Sequence, residues 1–96
     1  MKITELVTKA HANAVNKGFW DHPREVGTMI ALVHSELSEA LEADRHNDAD
    51  NFAEELADVV IRIADMAGGM GINLEQAIVD KMEINAGRAQ LHGKAY

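Results

Sequence analysis

Apolar residues recur at helical spacing in four segments of this chain, and no segment shows the sustained alternation of an exposed strand. The predicted helices cover residues 3–17, 24–45, 51–67 and a last stretch that follows a capping sequence at 73–76 and ends at about residue 87 or 89. Pro23 is expected in the first turn of the second helix. The absence of cysteine excludes disulfide staples and thiolate metal sites. The sequence therefore predicts an all-α fold, a four-helix antiparallel bundle with short loops.

The length of 96 residues fits a single domain that spans 1–96. A core of this size is marginal alone, because so short a chain buries only about 60–65 % of its unfolded surface, and we expect oligomers. The formal charge of −7 argues against nucleic acid or an anionic membrane as partner. No apolar run is long enough for a membrane span and the N-terminus lacks a signal-peptide pattern, so a cytoplasmic protein is expected.

The second predicted helix carries two glutamates, Glu36 and Glu39, at the edge of an apolar stripe. Two carboxylates three positions apart on a helix repel each other unless something compensates their charge. A solvated helix edge explains this pair as well as a binding site does.

The third predicted helix is apolar around most of its circumference, and its polar residues form one narrow band: Glu55, Asp58, Arg62 and Asp65. A helix of this kind is largely buried, so the band is expected to line an interior or a cleft. Unpaired carboxylates there are unfavourable, and a metal ion is one of the few arrangements that neutralise them.

Together with the two glutamates of the second helix, Glu55 and Asp58 supply four oxygen donors, a set suited to Mg²⁺ or Mn²⁺. The alternative is an ion-pair lattice in which Arg62 neutralises Glu55 and Asp58.

Polar residues also fall on the apolar side of the fourth predicted helix: Lys81, Asn85 and Arg88. Two cations and an amide suit recognition of phosphate and base at a site shared between helices or subunits. Long side chains that reach from the core to water are the alternative. Trp20, the only tryptophan, lies in the loop after the first helix, where it either stacks on a nucleobase or closes the end of the bundle.

The acidic pairs have a familiar spacing. Glu36-Leu-Ser-Glu39, fifteen residues and then Glu55-Leu-Ala-Asp58 resemble the ExxE…ExxD signature of MazG-like nucleotide pyrophosphohydrolases, in the all-α NTP pyrophosphatase superfamily. The Lys-Met-x-x-Asn-x-x-Arg run at 81–88 is similar to the family's fourth helix, and Gly93-Lys94 resembles its tail.

The resemblance implies hydrolysis of a nucleoside triphosphate to a monophosphate and pyrophosphate, of the house-cleaning type, by a homodimer or homotetramer. It makes Glu36, Glu39, Glu55 and Asp58 the Mg²⁺ ligands. Glu36 is expected to act as general base, because it lies nearest the apolar centre and desolvation should raise its pKa most. The short loop and single tryptophan favour a deoxynucleotide with a pyrimidine base, such as dCTP.

Contacts with the nucleotide are also implied by the resemblance. They fall on His11, Trp20, Arg24, Arg62, Lys81, Asn85 and Arg88. Arg62 departs from the family, since some relatives have a tyrosine at that position.

A different class of function is an alternative, a non-enzymatic module for helical oligomerisation or partner binding. It predicts that Mg²⁺ and nucleotide leave the melting temperature unchanged, whereas a tightly bound ligand raises it. A ferritin-like di-iron bundle ranks third, because no glutamate is followed by histidine three residues later.

Overall fold

A computed structural model describes residues 1–88. Over that range the protein consists of four helices and no strands: α1 (Ile3–Asn16), α2 (Val26–Arg45), α3 (Ala49–Met70) and α4 (Leu74–Ala86). The predicted all-α class is therefore confirmed. The Gly93-Lys94 resemblance lies outside the described residues.

Helix α3 is the centre of the packing. Helix α2 forms a hairpin with it through a three-residue connection, and α1 packs along it as well, while α4 packs against α1. Most of the buried apolar side chains are small, which allows the helix axes to approach closely; they are Ala10, Ala14, Met29, Ala40, Ala43, Val59, Ala64 and Ala67. Helix α4 has no buried residue.

The helix ends follow from local hydrogen bonds. The Asp48 side chain accepts from the backbone N–H of Asn51 at the start of α3. The Asn73 side chain accepts from the N–H of Gln76 at 3.1 Å, which confirms the predicted cap of α4.

Two predicted boundaries are wrong. Helix α3 continues beyond the predicted end at residue 67, through Gly68 and Gly69 to Met70, and Gly71, with φ of 69°, forms its left-handed cap. Helix α2 begins only at Val26, so Pro23 lies in the preceding loop rather than in the first turn.

The glycines inside α3 serve close packing instead of a turn. A Cβ atom at Gly68 would lie 2.7 Å from the His11 Cβ, and one at Gly69 would overlap the Trp20 ring. Both positions therefore need glycine because α1 and the α1–α2 loop press directly on the backbone of α3.

A large apolar surface remains exposed, including much of the apolar stripe of α2. Four of its side chains are between 43 % and 50 % exposed: Val26, Ile30, Leu37 and Leu41. Leu56 and Val60 of α3, at 43 % and 50 %, add to the exposed apolar surface. Among the described helices, none has the length and hydropathy needed to cross a bilayer.

Candidate active site

Three glutamates meet where α2 faces α3. Glu36 and Glu39 lie one turn apart on α2, and Glu55 lies opposite them on α3. One carboxylate oxygen from each lies within 4.8 Å of the others. We refer to Glu36, Glu39 and Glu55 as the acidic cluster, and its members are three of the four metal ligands expected from the sequence. The fourth, Asp58, lies outside this group of oxygens and lines the adjoining cleft.

Arg62 donates from Nε to Glu36 Oε1 across 2.9 Å. This hydrogen bond lowers the pKa of Glu36 below its ordinary value, and the contribution of Glu55 and Glu39 is in the same direction, while burial opposes them. The expected net rise in the pKa of Glu36 is therefore wrong, because burial acts in that direction but is outweighed by these hydrogen bonds. The alternative ion-pair lattice also differs from the structure, because Arg62 pairs with Glu36 instead of Glu55 and Asp58.

Glu55 has the opposite environment. Its Oε2 atom is shielded from solvent and has no hydrogen-bond partner. The pKa of Glu55 is raised from 4.5 to about 7. The largest cause is the neighbouring Glu36 carboxylate, followed by burial and by Glu39. A shielded carboxylate oxygen between two further carboxylates requires either a proton or a cation. This orphaned oxygen and the all-oxygen donor set fit a hard divalent ion such as Mg²⁺.

A cleft of about 360 Å³ adjoins the acidic cluster at Glu36. Its wall is formed by α1, the start of the α1–α2 loop and α3, and two cations, Lys17 and Arg62, lie among its acids. The full lining comprises Ala10, Asn13, Ala14, Lys17, Phe19, Glu36, Asp58, Ile61, Arg62 and Asp65. Acids that hold a metal beside cations that contact phosphate suit a metal-chelated polyphosphate.

A second cavity, of about 390 Å³, lies on the other side of the acidic cluster, where it includes Glu39 and Glu55. Its remaining lining is Glu42, Ala43, His46, Asp48 and Asn51. No lysine or arginine of the described chain lines it, so an anionic ligand is better accommodated in the first cleft.

Asp65, on α3 two turns after Asp58, is the most heavily bonded acid among the described residues. It is only 7 % exposed. Its Oδ1 accepts from Trp20 Nε1 at 2.8 Å and lies 3.0 Å from His11 Nδ1, while its Oδ2 accepts from Arg24 at 3.1 Å. Asp65 belongs to the polar band that the sequence shows on this helix, but the sequence alone predicts no role for it.

The three residues around Asp65 also contact one another. The guanidinium carbon of Arg24 lies 5.0 Å from the centroid of the Trp20 ring, and the His11 ring meets the indole edge-on at 5.1 Å. The structure thus brings together the three predicted nucleotide-contacting residues of the N-terminal third of the chain. We refer to His11, Trp20, Arg24 and Asp65 as the Asp65 network.

The structure does not bring the predicted α4 residues to this site. Lys81, Asn85 and Arg88 are exposed, and none of them lines the cleft within the described chain. Lys17 and Phe19, in contrast, line it without having been predicted. Their only sequence signal is their position beside Gly18 at the end of α1.

Known proteins of similar sequence support the interpretation of this cleft and acidic cluster as an active site. Residues 24–88 match the model of the MazG nucleotide pyrophosphohydrolase domain. A dATP/dGTP diphosphohydrolase of Cyanophage S-2L is 35 % identical over 74 residues, which cover 73 % of this chain and 67 % of the relative. No solved structure matches the chain.

The fold and the acidic cluster define an all-α enzyme class, the nucleoside triphosphate pyrophosphohydrolases. The chain belongs to the MazG nucleotide pyrophosphohydrolase family, which confirms the resemblance of its acidic motifs.

Proposed function

We propose that this enzyme hydrolyses a deoxynucleoside triphosphate between its α and β phosphates, in a reaction that requires Mg²⁺ and releases a monophosphate and pyrophosphate. The observation that carries the proposal is the acidic cluster, whose Glu55 Oε2 has no partner and which opens beside a cleft containing two cations. A house-cleaning role, the removal of unwanted nucleotides, follows from the resemblance.

Glu36, Glu39 and Glu55 are the proposed holders of the cation, with Asp58 joining them from one turn further along α3. When bound, a divalent cation neutralises phosphate charge and increases the acidity of water. An all-oxygen donor set favours Mg²⁺, and Mn²⁺ accepts a similar set.

Glu36 is the proposed general base, and it accepts a proton from the attacking water through a carboxylate that Arg62 keeps ionised and oriented. Glu55 is the competing candidate, because its pKa of about 7 in the metal-free protein is closer to the working pH of a base. Lys17 and Arg62 line the cleft. We propose that they contact phosphate oxygens and stabilise charge that develops on them.

Two features bear on which nucleotide is the substrate, and they disagree. The short α1–α2 loop and the single tryptophan favour a pyrimidine such as dCTP, whereas the name of the cyanophage relative points to the purines dATP and dGTP. A ranking of kcat/KM over all common nucleotides separates the two.

An assembly of two or four copies is proposed as the working form. The exposed apolar side chains of α2 and α3 supply a surface for association, and α4 exposes Val79, Met82 and Ile84 as well. In such an assembly we propose that Lys81, Asn85 and Arg88 of one protomer reach the cleft of a neighbour. Light scattering coupled to size exclusion gives the number of copies.

The decisive experiment is pyrophosphate release from the eight common NTPs and dNTPs with Mg²⁺, with EDTA as control. We expect activity with at least one dNTP and loss of that activity in EDTA and in Glu55→Ala. Glu54→Gln, the neighbouring exposed glutamate on α3, is the matched control and should retain activity. Inactivity across the panel would favour a non-enzymatic binding module.

A further inference from the structure

The aromatic side chain that lines the cleft is Phe19. Within residues 1–88 the lining of this cleft includes Phe19 but not Trp20. Phe19 is 55 % exposed, an unusual position for a phenylalanine, while Trp20 is largely covered. The loop therefore presents one aromatic ring to the cleft and turns the next one inward.

Trp20 is engaged by the protein on several sides. Its Nε1–H donates to the buried Asp65, the Arg24 guanidinium lies against its ring, and the backbone of Gly69 lies so close that no side chain fits between them. A ring held in this way supports the loop instead of offering an open surface to a nucleobase.

On its N-terminal side, the backbone of Phe19 is fixed by hydrogen bonds to the end of α1. The N–H of Gly18 donates to Val15 O and the N–H of Phe19 donates to Ala14 O, both at 3.0 Å. With Gly18 at φ of 86°, these bonds form a Schellman motif, which fixes the direction in which the chain leaves the helix. Phe19 thus projects from a backbone that is fixed on both sides of it.

The same cleft contains the groups proposed for the phosphates. Lys17 lies two residues before Phe19, and Glu36, Asp58 and Arg62 complete the wall toward the acidic cluster. A nucleotide with its phosphates at Glu36 and Asp58 has Phe19 as the aromatic ring available to its base within this one cleft.

We propose that Phe19 stacks on the nucleobase of the substrate, and that Trp20 is a positioning residue that holds the loop through Asp65. The proposal rests on the proposed function and replaces Trp20 by Phe19 as the base-contacting ring. Stacking on one aromatic side chain tolerates all bases, so Phe19 sets affinity more than base identity.

The test compares Phe19→Ala with Phe19→Tyr on the best nucleotide of the panel. Loss of the ring should raise KM about tenfold with kcat little changed, and tyrosine should restore KM, since it retains the ring. Val15→Ala, which truncates an exposed apolar side chain of α1 that does not line the cleft, is the matched control and should leave KM unchanged. Inorganic triphosphate has no base, so its inhibition constant should be equal for Phe19→Ala and the wild type.

The positioning role of Trp20 has its own readout, because Trp20 is the only tryptophan and its fluorescence reports on the loop. Asp65→Asn should shift the emission of Trp20 and raise KM, and its effect on KM should be less than additive with that of Phe19→Ala, because both act on the same ring.

The inference would be overturned if Phe19→Ala keeps the wild-type KM, Trp20→Leu raises KM and nucleotide strongly quenches the emission of Trp20. These results together would assign the contact with the base to Trp20. If the wild type hydrolyses no nucleotide, calorimetry separates failure of the proposed reaction from failure of the proposed stacking. If the wild type binds but does not cleave nucleotide, weaker binding by Phe19→Ala supports Phe19 although the proposed reaction fails. If the wild type binds no nucleotide, both proposals fall.

Discussion

Arg62 Nε lies 2.9 Å from Glu36 Oε1, so the central cation of α3 is bonded to the first acid of the α2 motif. The pair divides the acidic cluster into one carboxylate that is ionised readily, Glu36, and one that retains its proton toward neutral pH, Glu55. Two neighbouring carboxyl groups thus have pKa values shifted in opposite directions, because only Glu36 has a cation beside it.

Replacement of Arg62 by methionine removes this hydrogen bond while it preserves most of the apolar stem. We expect the pKa of Glu36 to rise, so the acidic limb of the kcat/KM profile should move to higher pH. At pH 7, kcat/KM should fall roughly 10- to 100-fold, the range for a lost hydrogen bond to a charged group. An unmoved acidic limb would show that Glu36 does not set it.

Glu36→Gln tests the assignment of the general base. The amide keeps the shape of the side chain but accepts no proton, so kcat should fall about 100-fold or more while nucleotide binding persists. Calorimetry with Mg²⁺ and nucleotide checks binding, and single-turnover kinetics check chemistry. Normal turnover would remove Glu36 from this role, and loss of turnover in Glu55→Gln alone would transfer the role to Glu55.

The raised pKa of Glu55 predicts a pH-dependent stability of the metal-free protein. The pKa of Glu55 is 4.5 ordinarily and about 7 in the folded protein. Between these two pH values, the folded state holds a proton that the unfolded state has released. The contribution of Glu55 to the free energy of unfolding therefore falls as pH rises through this window. In urea titrations with EDTA, Glu55→Gln should be more stable than the wild type at pH 8, and the difference should shrink toward pH 5.

Addition of Mg²⁺ provides the internal control for that titration. A cation in the cluster removes the repulsion that raises the pKa, so the advantage of Glu55→Gln at pH 8 should disappear or reverse. An advantage that persists at saturating Mg²⁺ would contradict a metal site at Glu55.

Gly69→Ala places a methyl group where the Trp20 ring lies. We expect a loss of roughly 1–3 kcal/mol in the free energy of unfolding, as for other overpacked sites, together with a shift in Trp20 emission. Gly27→Ala on α2 is the matched helical control, because nothing lies within 4 Å of the added atom, and it should gain about 0.5–1 kcal/mol. Equal effects of the two substitutions would show that the Trp20 contact is unimportant.

The sequence predicted most of what depends on local spacing. The four helices, the cap at Asn73 and the convergence of Glu36, Glu39 and Glu55 follow from periodicity and from the antiparallel pairing of neighbouring helices. The predicted C-terminal end of α3 is wrong because a glycine can mark either a helix stop or a close contact. Only the position of Trp20, far away in sequence, decides between these two readings.

Neither the direction of the pKa shift of Glu36 nor the role of Asp65 could be predicted from the sequence, because both depend on contacts between distant residues. Burial and ion pairing shift a carboxyl pKa in opposite directions, and the outcome depends on the 2.9 Å contact with Arg62, which no spacing rule supplies. Asp65 bonds Trp20 from 45 positions away, so its importance depends on tertiary structure.

The alanine-rich interior has a consequence for how this chain tolerates mutation. Of the buried apolar residues of the described chain, Met29 and Val59 alone have side chains larger than a methyl group. Truncation, the usual cause of severe core damage, therefore has few targets here, and enlargement becomes the main hazard, because an added methylene forces two backbones apart. In a library of random substitutions, we expect intolerance to concentrate at alanine and glycine positions, the reverse of the pattern in a core built from leucine and phenylalanine.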